Sequence, residues 1–207
     1  MAGSQSMAGS PSMAGSPRRR ADAERNIEAI LDAAQSCFRR SSAPSMTEIA
    51  RAAGVGRVTL YGHFSSREEV LRAVFERTLR RANAALEAVD VDGVPADEAL
   101  ARLIGSSWRI IDEHRSLLAA ALEHLDPDWV RDRHSDALAR VERLIARGRS
   151  DGVFARDVPL GWLVTTFYTL MHAAAQEVDH GNLTPRTAQD VLTRTLFGAL
   201  NPTRQQL

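Results

Sequence analysis

Residues 45–67, SMTEIARAAGVGRVTLYGHFSSR, restrict this chain more than any other stretch, because they spell two short helices pinched at a glycine. Ser45 followed by Glu48 is a capping box: the serine oxygen takes a backbone N–H of the first turn, and the glutamate reaches back to the serine N–H. Ile49, Ala50 and Ala53 fall on one stripe, with alanines small enough to let a second helix cross closely. Gly54 sits where a positive φ ends the helix, and Val55 fills the corner. The second helix, Arg57 to Phe64, turns Leu60 and Phe64 inward at i, i+4 and leaves Arg57, Thr59, Tyr61 and His63 pointing elsewhere. Such a pair is either a packing corner or a helix-turn-helix that reads DNA.

The continuation favours DNA. Ile49 to Glu68 runs without a gap as IA-x-x-AGV-x-x-x-TLY-x-HF-x-S-[KR]-E, and Thr59, Leu60, Tyr61, His63, Phe64 and Arg67 resemble the recognition-helix signature of the tetracycline-repressor (TetR) family of transcriptional regulators. The likeness is strong over residues 22–72 and architectural beyond. It implies a double-stranded DNA operator as partner, with Arg57, Thr59 and Tyr61 at base edges or methyl groups and Ser45, Thr47, His63 and Arg67 as phosphate clamps. Two positions depart from the family pattern. Position 56 usually carries a small hydroxyl residue and here is Gly, and Gly62 replaces a larger residue at a cost of about 1 kcal/mol in helix propensity.

Charge placement agrees with a DNA partner at one end. The formal net charge is zero, yet residues 18–81 hold 13 Arg against 8 Asp plus Glu, and residues 82–207 hold 13 Arg against 18 acids. A basic half precedes an acidic half. Every basic residue is arginine. The single cysteine, Cys37, excludes an internal disulfide framework and suits a reducing compartment; it reads as a small core hydrophobe rather than a redox sensor. No stretch reaches the roughly 18 consecutive apolar residues of a membrane span, so a soluble, cytoplasmic protein with no membrane partner is expected.

Taken in order, residues 1–17 repeat MAGSQS, MAGSPS, MAGSP and carry no apolar face, which predicts disorder. Arg18, Arg19 and Arg20 follow, either as a solvated run or as an arm that meets phosphates or a minor groove. Asp22 to Arg40 has Ile27, Ile30, Leu31, Ala34 and Phe38 at helical spacing. Past the recognition helix, Ser65 or Ser66 caps a long helix over Glu68 to Val89, whose stripe of Val70, Leu71, Val74, Phe75, Leu79, Ala82 and Leu86 leads out of the DNA-binding unit. Residues 90–95 break it. Helices are then expected over Ala96–His114, Ser116–Leu125, Asp128–Arg149, a strongly apolar segment to about His180 that Asp157 caps, and Pro185–Leu200 capped by Thr184. The result is an all-α chain of about nine helices: a three-helix helix-turn-helix domain over residues 18–67, joined by the long helix to a ligand-binding and dimerisation domain over residues 68–207.

The helix from Leu160 to Val178 is apolar almost all round, and Pro185–Leu200 shows a wide stripe, so the pair needs cover on more than one side. A two-fold four-helix interface supplies it, through Leu163, Phe167, Leu170, Val191, Leu192 and Leu196; the TetR resemblance implies the same homodimer. The resemblance also implies a cavity for a small-molecule effector beside the long helix, with Phe75, Trp108, Ile111 and His114 expected in its wall and a hydrophobic or aromatic guest. Glu123, His124, Asp126, Asp128 and His134 lack metal-site spacing, and no motif supplies an activated nucleophile or cradles a phosphate, so no metal, cofactor or catalysis is expected. The expected function is a transcriptional regulator, a repressor released by its ligand. The rival readings are an effector-independent DNA-organising protein and a helical small-molecule binder with a vestigial DNA unit.

Overall fold

The computed structural model describes residues 17–201, with side chains from 22 onward. The repetitive segment over residues 1–16 and the side chains of Arg18, Arg19 and Arg20 lie outside the described residues. Ten helices and no strand occur among the described residues: α1 (Pro17–Phe38), α2 (Met46–Ala52), α3 (Arg57–His63), α4 (Arg67–Glu87), α5 (Ala96–Glu113), α6 (Arg115–His124), α7 (Pro127–Asp132), α8 (Ser135–Ser150), α9 (Leu160–Asp179) and α10 (Pro185–Leu200). None is long and apolar enough to cross a membrane.

Helices α1–α3 form a small bundle around Ile30, Ala34, Phe38, Ile49 and Leu60, each fully buried or nearly so. The bundle is not closed by itself. Val70, Leu71 and Val74 from the first turns of α4 complete the same buried cluster, so α4 belongs to the N-terminal bundle at one end and to the C-terminal bundle at the other. Cys37 is buried in this cluster. The remaining helices pack as a layered bundle in which α5 and α8 face each other and α9 pairs with α10.

Two local expectations are corrected. The single helix expected over Asp128–Arg149 is two, α7 and α8, broken at Arg133 and His134. The apolar positions keep helical spacing across the break, but the His134 ring Nδ1 lies 2.8 Å from the Val130 carbonyl oxygen and its backbone N–H bonds to Arg131, which turns the chain. This is why ten helices stand where about nine were expected. Asp157 does not cap α9; Pro159 occupies the cap position without a side-chain bond.

The turn after α8 is built around a missing side chain. Gly152 takes φ +74°, the left-handed region that glycine enters freely, and both Val153 and Phe154 donate their N–H groups to the Gly148 carbonyl. Phe154 then lies flat on α8: a Cβ at Gly148 would stand 2.1 Å from its ring, and Phe154 is only 2 % exposed. Gly148→Ala therefore forces the ring out of a packed core and should cost about 1–3 kcal/mol, read as a lower urea midpoint with unchanged m-value.

Candidate nucleic-acid interface and effector cavity

Helix α2 starts where the sequence says it must. The Glu48 N–H donates to Ser45 Oγ at 3.2 Å, and the Glu48 carboxylate accepts from the Ser45 N–H at 2.7 Å and from its hydroxyl at 2.8 Å. The bond from the Ser45 backbone, followed by that from its hydroxyl, holds the Glu48 carboxyl below the usual carboxylate range. Ser45 thus engages its hydroxyl within the box. Thr47, His63 and Arg67, the other residues matched to phosphate, make no side-chain hydrogen bond among the described residues.

Gly54 closes α2 with φ +67°, and Val55 packs against the core as expected. In α3, Leu60 and Phe64 are buried and pull the helix onto the bundle. Arg57 and Tyr61 stand on the outer side, with the Arg57 guanidinium 6.0 Å from the Tyr61 ring centroid, while Thr59 is half-buried. Gly56 precedes the helix with no side-chain cap, and a Cβ at Gly62 would meet nothing within 4 Å, so the outer face is open there. Val58 is the residue the sequence reading missed: 89 % exposed, it is an apolar side chain presented to solvent beside Arg57 and Tyr61. Its β-branched group suits a thymine methyl. The signal was its position off the Leu60/Phe64 stripe.

The long helix is anchored to this unit. Ser66 Oγ accepts from the Glu69 N–H at 3.1 Å, and Glu69 returns to the Ser65 hydroxyl and N–H, which lowers the Glu69 pKa. Two turns on, Arg77 is 4 % exposed. Its guanidinium meets Asp32 at 2.8 Å, Glu28 at 3.0 Å and the Gln35 side-chain oxygen at 3.1 Å, so one buried fork grips three residues on the same side of α1.

Further along, α4 forms a wall of a cavity. Leu79, Ala82 and Leu86 face Ile110 and Ile111 of α5, Leu138 of α8 and Phe167 and Met171 of α9 across about 640 Å³ of space outside the atoms, part of it open to solvent. A smaller extension of about 380 Å³ reaches Phe75 and His114. Of the four residues expected in an effector wall, Phe75, Ile111 and His114 line these spaces. Trp108 does not: it is 2 % exposed, and its indole N–H donates to the Pro185 carbonyl at 2.9 Å, which ties α5 to the start of α10. An aromatic seam crosses from α4 to α9, Phe75 to His134 at 6.0 Å, then His134 to Tyr168 and to His172, both at 5.3 Å. Burial pushes His134 and His114 below the ordinary histidine value and raises Tyr168; burial, with His134 alongside, pushes His172 down to about 3. The seam is neutral at physiological pH.

The α9–α10 pair also needs correction. Leu163, Phe167, Leu192 and Leu196 are buried within the chain itself, because these stripes face the core and, at Phe167, the cavity. The outward side carries Trp162, 64 % exposed, Val191, 44 % exposed, and half-buried Leu170.

Residues 30–74, which span the capping box, the glycine turn and the anchoring turns of α4, match the family model described as bacterial regulatory proteins, tetR family. This segment is a TetR-type DNA-binding domain. The chain is similar to the HTH-type transcriptional repressor LfrR of Mycolicibacterium smegmatis, 28 % identical with 86 % of this chain and 92 % of LfrR covered. Among solved structures it resembles the TetR-like regulator LfrR from Mycobacterium smegmatis in complex with proflavine, at 26 % identity and a TM-score of 0.62, covering 85 % of this chain and 96 % of that one. A TetR-family regulator from Marinobacter aquaeolei VT8 shares the fold at 23 % identity and a TM-score of 0.64, over 89 % of this chain and 99 % of the other. TetR-family regulators bind DNA operators, act as dimers and bind small-molecule effectors.

Buried His172 and half-buried His134 and His114 give the chain a pH signature. Unfolded, the His172 imidazole protonates near its ordinary value of 6.5; folded, it resists until about 3. Between those values the unfolded chain binds more protons, so stability falls as pH drops below the unfolded value, and His134 and His114 act in the same direction. Urea midpoints should fall from about pH 7 to about pH 5, with His172 contributing up to about 2 kcal/mol, and His172→Gln should flatten the slope whatever its effect on absolute stability.

Proposed function

We propose that this protein is a homodimeric repressor that holds a palindromic operator with two copies of α3 and lets go when a small apolar molecule enters the cavity. One observation carries the reading. A single helix, α4, contributes Val70, Leu71 and Val74 to the DNA-binding core, grips α1 through Arg77, and contributes Leu79, Ala82 and Leu86 to the cavity wall. A guest that displaces that wall must tilt the DNA-binding unit with it. In a dimer the tilt changes the separation of the two α3 helices, which must stay at about 34–36 Å to reach successive half-sites.

Arg57, Tyr61, Val58 and Thr59 are the residues we assign to base edges and methyl groups, with Thr47, His63 and Arg67 on phosphates. The second copy is assigned to the outward side of α9 and α10, which carries exposed Trp162 and Val191 and half-buried Leu170. The ligand complex of the LfrR relative supports a ligand-responsive regulator, as does the unfilled cavity, which an effector-free DNA-organising protein would not need.

Operator binding tests the DNA assignment. On its own upstream DNA the wild type should bind with a steep salt dependence, and Tyr61→Ala or Arg57→Ala should each lose about 1–3 kcal/mol while keeping the helical content of the fold. Affinity indifferent to both changes would support a vestigial DNA unit instead. Trp162→Glu should convert the dimer to monomer in sedimentation and abolish operator binding without touching α3; a dimer that survives it would refute the α9–α10 assignment.

A further inference from the structure

We propose that the cavity selects its guest by charge, admitting neutral or anionic apolar molecules that carry a hydrogen-bond acceptor for Arg140 and rejecting cations. The proposal rests on the reading of the cavity as the effector site and names the chemical class of its ligand.

The lining contains no Asp or Glu. Its one formal charge is the Arg140 guanidinium, which donates through Nη2 to the Val89 carbonyl at 2.6 Å while its Nε–H is buried without an acceptor. A buried donor left unpaired is costly, and a ligand carbonyl or carboxylate would satisfy it with a charge-assisted bond. Of the other polar groups in the wall, His134 is engaged with the Val130 carbonyl, while Asn83, Ser107, Tyr168 and His172 make no side-chain hydrogen bond among the described residues; all are neutral, so they offer dipoles to a guest without a countercharge for a cation.

One aromatic face in the wall is already occupied. Arg131 already lies over Tyr168, 5.0 Å from the ring centroid, and is held there by a bond to Thr165 Oγ1 at 3.2 Å. That face of Tyr168 is therefore already taken by a cation. Carboxylates occur in the adjoining groove outside, as Glu87 and Asp136, where Arg140 and Arg143 match them in number. A cation entering the cavity therefore loses its water without gaining a countercharge, and it faces the positive field of Arg140.

Three planar tricycles of one frame test this on the full-length dimer: cationic proflavine, neutral acridone with its carbonyl, and anionic acridine-9-carboxylate, titrated by their own fluorescence. Acridone and the carboxylate should each bind at least about tenfold more tightly than proflavine. Arg140→Met should weaken the carboxylate by about tenfold or more and leave proflavine unchanged or tighter, while Arg140→Lys, which keeps the charge, should preserve the discrimination against proflavine and guard against a folding artefact in the methionine variant. Proflavine binding as well as the other two, carboxylate binding indifferent to both changes, or no binding of any of the three would each overturn the proposal. Operator affinity read in the same titrations separates the two readings. Bound carboxylate that leaves DNA binding unchanged sinks the effector reading and leaves the charge preference standing. Proflavine that binds best and releases DNA does the reverse.

Discussion

The Arg77 guanidinium is the joint on which this molecule turns. An arginine this deep is tolerable only because Asp32 and Glu28 neutralise it and Gln35 takes a further N–H, and all three sit on α1. The acids themselves are largely exposed, so the desolvation falls mainly on Arg77, and removing the acids would leave its buried charge uncompensated. The geometry makes α1 and α4 a single lever. Without it, α4 would touch the DNA-binding core through apolar contacts alone, which slide more readily than a three-way fork.

Seen from this joint, α4 divides into three zones within 21 residues. Its start completes the hydrophobic core under the recognition helix, its middle is clamped to α1, and its end lines the cavity. Each zone demands different chemistry of the same stripe: branched aliphatics for the core, a buried cation for the clamp, and small or aliphatic groups such as Ala82 and Leu86 that leave room for a guest. Nothing in a helical repeat separates these duties. They become distinct only when α1 and α8 are placed on either side.

The helix-turn-helix was legible because its signals are local. Ser45 with Glu48, Gly54 with its positive φ, and Leu60 with Phe64 each act within one turn of chain, and the structure bears out all three. The all-helical class followed from periodicity for the same reason. The errors have a common cause in long-range partners that spacing cannot show. Trp108 looked like cavity wall because it is large and lies on α5, but the Pro185 carbonyl, 77 positions away, claims its N–H. A helix apolar on every side, as α9 is, says that two covers exist without saying which side takes which, and so Leu163 and Phe167 were set outward when they face in. The break at His134 was hidden because Val130 and Val141 keep their helical phase across it. Val58 was passed over because an apolar residue off the buried stripe reads as noise until its exposure is known.

The bond from Trp108 to Pro185 has a mechanical meaning. Pro185 at the start of α10 has no N–H, but its carbonyl has two lone pairs, so it takes the indole beside its place in the helix ladder, and that bond rivets α5 to the very helix that pairs with α9. The floor of the cavity is thereby fastened to the outward face of the bundle like a jaw set in a vice. The opposite jaw, α4, is riveted instead to the small N-terminal bundle. In the release mechanism proposed above, α4 is the wall whose displacement reaches the recognition helix.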